Sequence, residues 1–459
     1  MIAYLTARAV IMGTPGTGLR LLPKKRGAGG GLPTIKEPYR IELSARLFKL
    51  SAQSTSFTST STSYTLKSLK IVKRLLLMKC RTLGKTGIEV GIVSLGAEHL
   101  EHAPRDTVIS VVDEALNNGV NYIDLFMASP GVRDNFGIAF KNRRHQVMIA
   151  GHLGAAYKDG QYYRTRDKSI GEAFFYDLLR RLQTDYIDML MLHYIDEPAD
   201  YDVVFSAGGV LELAKRLQKE GKARFIGMSS HRVPSSLKAV ASGHIDVLMY
   251  PVNPAFDTLP GNMPWEVTKK DEWYKQLGGY TTKPVIERRE LYHACAINNV
   301  GIIAMKPYAA GRLFKPGNVS SIVLTPVQCL HYALSQPGVC TVVPGCKTVP
   351  EMKAALAYLK GTDEEKDYSA INVNALWKLQ GSCMYCNHCL PCLVGIDIGT
   401  TTRLADTAAY GKDKNVISQY EDLIVKASEC TQCGACLERC PFDVDVIANM
   451  SKAVDVFGK

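Results

Sequence analysis

Tyr186-Ile187-Asp188-Met189-Leu190-Met191-Leu192-His193 is a nearly unbroken apolar run that ends on a histidine. A strand with one wet face alternates polar and apolar residues, whereas a run that is apolar on both faces belongs in a sheet covered on both sides, as parallel sheets are. The run lies between Ile170–Leu182 and Val210–Glu220, which repeat apolar residues with a helical period. The same alternation continues outward. Short β-rich runs recur at Ile92–Leu95, Tyr122–Phe126, Gln146–Ala150, Arg224–Met228, Ile245–Tyr250, Gly301–Met305 and Cys340–Val343, with helical patterns such as Arg105–Asn118 and Pro326–Ser335 between them. Eight strand–helix units predict an α/β fold of the (β/α)8 barrel type. An open doubly wound sheet is the alternative, but no G-x-G-x-x-G follows an early strand. Ahead of the first unit, a Thr86-Gly87 turn between Cys80–Thr82 and Ile88–Val90 predicts a hairpin.

Composition narrows the class. The chain has 459 residues, 46% hydrophobic and 22% charged, which excludes a fibrous or wholly disordered protein. No run of about 18 uninterrupted apolar residues is present, so no spanning helix and no membrane partner are expected. The formal charge of +11 is misleading. Residues 1–77 hold thirteen Lys or Arg and only Glu37 and Glu42 as acids, so the remainder carries 42 of each sign and nucleic acid is not an expected partner. This first segment has a glycine run at Gly29–Gly31, a Ser/Thr tract and no sustained period. It reads either as an organelle transit segment or as sequence ahead of a true start at Met78, the latter favoured; a cytoplasmic protein is expected on that reading.

In such a barrel, chemistry gathers at the C-terminal ends of the strands. The polar residues there are Glu98 and His99, Asp124, His152, His193, Ser229, Ser230 and His231, Asn253 and Lys306. Each alone suits a structural role; their convergence on one rim suggests a site. Asp124, His152, His193 and Lys306 are the catalytic candidates. A carboxylate beside a histidine raises its pKa toward working pH, which would make His152 a general acid.

Eight of the thirteen cysteines form two short clusters. Cys430-x2-Cys433-x2-Cys436-x3-Cys440-Pro441 is the bacterial ferredoxin run, whose fourth cysteine ligates the other cluster of a pair. Cys383-x2-Cys386-x2-Cys389-x2-Cys392 is its partner. Ile396-Asp397-Ile398 and Val444-Asp445-Val446 follow at matching offsets, so the region reads as an internal repeat. The expected pairing is crossed: Cys383, Cys386, Cys389 and Cys440 on one [4Fe-4S] cluster, Cys430, Cys433, Cys436 and Cys392 on the other. Tetrahedral zinc is the alternative, disfavoured by two tandem four-cysteine runs, and disulfides do not suit a chain without a secretory signal. Cys80, Cys295, Cys329 and Cys340 read as packing residues. Cys346, in a presumed phosphate loop, reads as a reactive candidate.

The segment from about Cys80 to Leu359 resembles the aldo/keto reductase family. The residues that carry the likeness are Leu83-Gly-Lys-Thr-Gly87, Asn121-Tyr-Ile-Asp124, Tyr186–His193, Gly221-Lys-Ala-Arg-Phe-Ile-Gly-Met-Ser229 and Val343-Pro-Gly-Cys-Lys347. With the cysteine runs, the whole resembles the iron–sulfur branch of that family, a barrel followed by a two-cluster ferredoxin-like module. The resemblance implies a barrel over 78–365, a module over 366–459, NADP(H) as a cofactor, and a catalytic Asp, Tyr, Lys and His. Asp124 and His193 match two of these. The Tyr position is Ser129, whose hydroxyl is far less acidic than a phenol, and the Lys position is His152. Met305 replaces the nicotinamide-stacking Tyr and Ala355 the adenine-contacting Asn, while Lys347 and Thr348 persist where a 2′-phosphate would bind. Ser229, Ser230, Asn253, Gly345, Lys347 and Thr348 are the dinucleotide candidates.

These features point to an iron–sulfur oxidoreductase in which a small organic substrate, a carbonyl compound, binds the barrel mouth and exchanges electrons through two clusters with a ferredoxin or similar one-electron carrier. A non-catalytic electron-transfer or scaffold protein with a degenerate barrel is the rival. An ordinary NADPH reductase with His152 as acid is the third reading. The stretch from Ala255 to Thr282, rich in Trp, Tyr, Pro and Gly, suggests a lid.

Overall fold

The computed structural model describes residues 78–257, 259–263, 286–315, 323–372, 381 and 383–459. The segment 1–77 and most of the stretch read as a lid lie outside the described residues. The barrel and the cysteine-rich region fall within one compact unit.

Twelve strands occur among the described residues. β1 (Cys80–Thr82) and β2 (Glu89–Gly91) form the predicted antiparallel hairpin. The barrel strands are β3 (Leu95–Gly96), β4 (Tyr122–Leu125), β5 (Met148–Leu153), β8 (Ile187–Leu192), β9 (Ala223–Ser229), β10 (Val247–Pro251), β11 (Gly301–Met305) and β12 (Val339–Val343). They pair in the order β12-β11-β10-β9-β8-β5-β4-β3, all parallel. Parallel bridges Val93↔Val342 and Gly96↔Gly345 join the first strand to the last, so the sheet closes. Each predicted strand is present, with ends shifted by up to three residues.

The physical basis is the double burial read from the central run. Tyr122, Ala150, Met189, Met191, Val247, Met249 and Ile303 pack together inside the barrel, and Leu83 and Val90 of the hairpin join them. The opposite strand faces meet the helices in a second, larger core. Strand side chains alternate between these two sets. Parity therefore fixes what reaches the mouth: Asp124 follows inward Tyr122, His152 follows Ala150, and His193 follows Met191.

A second hairpin was not anticipated. β6 (Ala155–Lys158) and β7 (Gln161–Arg164) pair antiparallel directly after β5. Asp159 and Gly160 between them have φ of 53° and 79°, the pair of positive values that a two-residue primed turn requires.

The cysteine region is helices and loops among the described residues. The helix Ile398–Ala408 packs beside Val446–Phe457, and a separate apolar cluster joins the region to Phe256, Leu313, Tyr332 and Tyr368 of the barrel side. The barrel helix Ile286–Ile297 forms the seam. Arg289 donates to the Cys383 carbonyl at 2.7 Å and to Tyr385 Oη at 3.0 Å, and His293 Nδ1 bonds Thr407 Oγ1 at 3.0 Å.

Candidate active site

Three of the four catalytic candidates converge. His152 Nε2 lies 2.9 Å from Asp124 Oδ1, and His152 Nδ1 lies 2.8 Å from His193 Nδ1. All three are at most 7% exposed. The network runs one residue further than the sequence reading reached: Tyr162 Oη of β7 is 2.5 Å from His193 Nε2. Phe126 fixes the rings, stacking on His193 at 5.6 Å and meeting Tyr162 edge-on at 6.0 Å. Burial, reinforced by His152, Arg166, His231 and Arg164, holds His193 well below an ordinary histidine pKa. Burial pushes the Tyr162 phenol up to about 12, against the pull of Arg164 and Arg166, so it keeps its proton at neutral pH. Ser129 occupies the position read as the lost tyrosine. Its hydroxyl is buried with no partner among the described residues.

Lys306, the fourth candidate, belongs to a different cluster. The Asp196 carboxylate accepts from the His231 backbone N–H at 2.7 Å and from Ser230 Oγ at 3.2 Å, and it lies 3.1 Å from His231 Nδ1. His231 Nε2 lies 3.1 Å from Lys306 Nζ. Tyr194 packs between the two clusters, 6.1 Å from the His193 ring and 4.8 Å from His231, with the Arg164 guanidinium 4.0 Å above it. Tyr194 and Lys306 both have left-handed φ, 52° and 53°, where the chain leaves strands β8 and β11. Such conformations gather at functional sites because the surroundings must impose them.

The dinucleotide candidates do not form an open cradle. Asn253 donates to the Lys306 carbonyl and accepts from Phe256 N–H. Ser229 Oγ accepts from Tyr194 N–H, and Ser230 serves Asp196. Thr348 caps the helix Val349–Leu356, and the Lys347 backbone N–H donates to Glu351. His99 packs so closely on Gly345 that a Cβ there would lie 2.3 Å from its ring. Ser229, Ser230 and Asn253 are thus bonded within the protein's own loops, while Lys347 and Thr348 are exposed. Cys346 is likewise corrected: it is 1% exposed and its thiol is pushed up to about 12 by burial, so it is not reactive.

The two cysteine runs lie close together. Cys392 lines one small hollow together with Cys430, Cys433 and Cys436, and Ile396 and Met450 line it too. Burial pushes up the thiols of Cys386 and Cys389 in the first run, and nearby Cys440 adds to both shifts. The backbone repeats with the sequence. Tyr385 and Asn387 follow the first cysteine of their run by two and four residues, as Gln432 and Gly434 do in theirs, and all four have positive φ. Asp397 and Asp445 then each cap a helix by accepting from the N–H three residues on. Among the described residues no three or more His, Cys, Asp or Glu close on a single metal-ion position.

Comparison with known proteins follows this geometry. The sequence model of the Aldo/keto reductase family matches residues 88–256. The oxidoreductase YqkF of Bacillus subtilis, named as uncharacterized, is 25% identical over 297 residues, 60% of this chain and 89% of that protein. L-galactose dehydrogenase of Arabidopsis thaliana is 31% identical over 204 residues, 40% of this chain and 61% of that protein. The structure of an aldo-keto reductase from Bacillus halodurans aligns with a TM-score of 0.47 at 23% identity, over 63% of this chain and 94% of that one. The stretch 88–256, which runs from the first hairpin to the end of the sixth barrel strand, is thus similar to the aldo/keto reductase family.

Proposed function

We propose that the protein couples redox chemistry of a small carbonyl substrate at the barrel mouth to one-electron transfer through two [4Fe-4S] clusters in the cysteine module. The observation that carries this is the company that Cys392 keeps with the second cysteine run. Cys392 lines a hollow with Cys430, Cys433 and Cys436, which lie 38 to 44 positions further along the chain, and no other ionisable group but Arg439 lines it. Cys383, Cys386, Cys389 and Cys440 would hold one cluster, and Cys430, Cys433, Cys436 and Cys392 the other. When bound, such clusters carry electrons singly. Cys433 is exposed, and Leu393 beside it is 74% exposed, which gives a carrier such as a ferredoxin a close approach to the second cluster.

The rest of the chemistry belongs to this chain's side chains. Asp124 orients His152. His193 hands the network on toward the mouth. Lys306 supplies a positive charge on the other side of Tyr194, suited to a substrate bearing an anionic group. Ser229, Ser230 and Asn253, bonded within the protein's own loops, favour a carrier protein over a nicotinamide as the electron source.

The test is an anaerobic absorbance titration of the holoprotein with NADPH, NADH, reduced ferredoxin and dithionite. Iron and sulfide matching two cubanes, with bleaching by reduced ferredoxin and dithionite, is expected. Zinc in place of iron overturns the reading. Clusters that bleach while no aldehyde or ketone restores their colour point to the scaffold alternative.

A further inference from the structure

The hydrogen-bonded chain Asp124–His152–His193–Tyr162 has a direction that its chemistry imposes. An ionised carboxylate only accepts, so His152 must donate through Nε2–H. With His152 neutral, its Nδ1 then accepts from His193 Nδ1–H, and His193 Nε2 accepts from the Tyr162 hydroxyl. Every hydrogen points toward Asp124, and Tyr162 shows the mouth a bare oxygen lone pair. One added proton reverses the chain. His152 then donates through both nitrogens, His193 accepts at Nδ1 and donates through Nε2–H to Tyr162, and the Tyr162 hydroxyl is released to donate outward. The added proton placed on His193 instead also keeps all three hydrogen bonds and frees the Tyr162 hydroxyl, but burial disfavours charge there.

Exposure identifies the working end. Asp124, His152 and His193 are buried, whereas Tyr162 is 38% exposed. The charged and titratable groups facing the chain are Glu98, Arg164 and Arg166 around Tyr162, His231 beside His193, and Tyr122 next to Asp124.

We propose that Tyr162, carried by the β6–β7 hairpin, is the residue that exchanges a proton with the substrate oxygen, and that Asp124, His152 and His193 are the wire behind it. This rests on the function proposed above. A phenol thus returns to a site whose expected tyrosine position is Ser129, from a different element and coupled through a histidine. In reduction, C=O becomes CH–OH by gaining two electrons and two protons. The electrons come singly from the reduced carrier protein. Tyr162 delivers the proton that ends on oxygen and is reprotonated by His193, which draws on His152; water supplies the proton that ends on carbon. Oxidation of an alcohol runs the same wire toward Asp124.

The experiment follows re-oxidation of dithionite-reduced holoprotein by benzaldehyde across a pH series. Tyr162→Phe keeps the ring contacts with Phe126 and His193 and removes only the hydroxyl. It is expected to slow re-oxidation by about 10²-fold or more and to flatten the pH profile. Tyr163→Phe, on the other face of the ribbon, is expected to match the wild type. A Tyr162→Phe rate within about twofold of wild type overturns the proposal, since general acid–base groups contribute more than that. Failure of the wild type to be re-oxidised sinks the electron-coupling reading instead. The wire is then judged by histidine nitrogen NMR with benzyl alcohol as probe. Joint shifts of His152 and His193 in the wild type that vanish in Tyr162→Phe support it. Shifts that persist in the variant, or none in the wild type, overturn it.

Discussion

The barrel mouth and the cysteine module build their sites in opposite ways. In the module, three of each four thiols come from one short loop, and the same left-handed residues and helix caps recur at the same offsets. On the proposed pairing, only Cys392 and Cys440 are exchanged between loops. At the mouth, no two members of the Asp124–His152–His193–Tyr162 chain are closer than ten residues in sequence, and the bonded pairs are separated by 28, 41 and 31. One site is a local motif used twice. The other exists only because a closed sheet brings distant strand ends together. A local motif tolerates a drifting framework; a convergent site does not.

The largest expected effect tests the exchange. Cys440→Ala should remove the same cluster as Cys383→Ala, and Cys392→Ala the same one as Cys430→Ala, read as matching iron loss and matching electron paramagnetic spectra. If Cys440→Ala instead matches Cys430→Ala, the sets are not crossed.

Next is the convergent site. Asp124→Asn removes the acceptor that orients His152 and should lower turnover of a reduced carbonyl by about 10²-fold or more, with the clusters' absorbance unchanged. Unchanged turnover would mean that the chain is structural.

The framework comes third. Arg133 is 1% exposed and donates to the Met127 and Phe174 carbonyls and to Asp177, while burial brings its pKa down to about 10. Arg133→Ala should cost about 3 kcal/mol in denaturant unfolding, because carbonyls and a carboxylate lose a buried donor. By the same contrast, it should disturb the mouth before the module.

A smaller effect lies at the seam. Burial holds His293 down to about 4, and it bonds Thr407 across the two regions. The unfolded chain takes up that proton near pH 6.5, so stability from this residue is present above about 6.5 and lost as pH falls toward 4. Asp257 acts in the reverse sense. Burial pushes it up to about 6 where it accepts from Tyr292 and Tyr332, so its contribution is present at acid pH and lost as pH rises through 6. His293→Gln should weaken the acid loss of the unfolding midpoint, and Asp257→Asn should steepen it. The smallest effect is Asp445→Ala, which removes a helix cap worth about 1 kcal/mol; Asp397→Ala should cost the same if the repeat is energetic as well as geometric.

Much of this was legible. The eight strands were readable because burial on both faces leaves long apolar runs, and the barrel followed from their count. The two cysteine runs were readable because their spacing is local. The β6–β7 hairpin was legible too, in Asp159-Gly160 between Tyr157 and Tyr162, but a two-residue turn inside a strand–helix unit is easily passed over. Tyr162's role was not legible, since nothing in its neighbourhood distinguishes it from Tyr163. Nor was the split of Lys306 from Asp124, because sequence assigns both to one rim without assigning them to a side of it.

Sequence alone determined the class of fold, the two cysteine runs and the candidates at the strand ends, because periodicity and short-range spacing are properties of neighbouring residues. Tertiary structure decided which candidates touch. The closed sheet's parity and stagger set Asp124, His152 and His193 in one hydrogen-bonded line, the hairpin added Tyr162, and the loops turned Asn253 and Ser230 inward to satisfy the protein itself. A hydrogen bond depends on the position and direction of two groups to within a few tenths of an ångström, and only the packed chain supplies both.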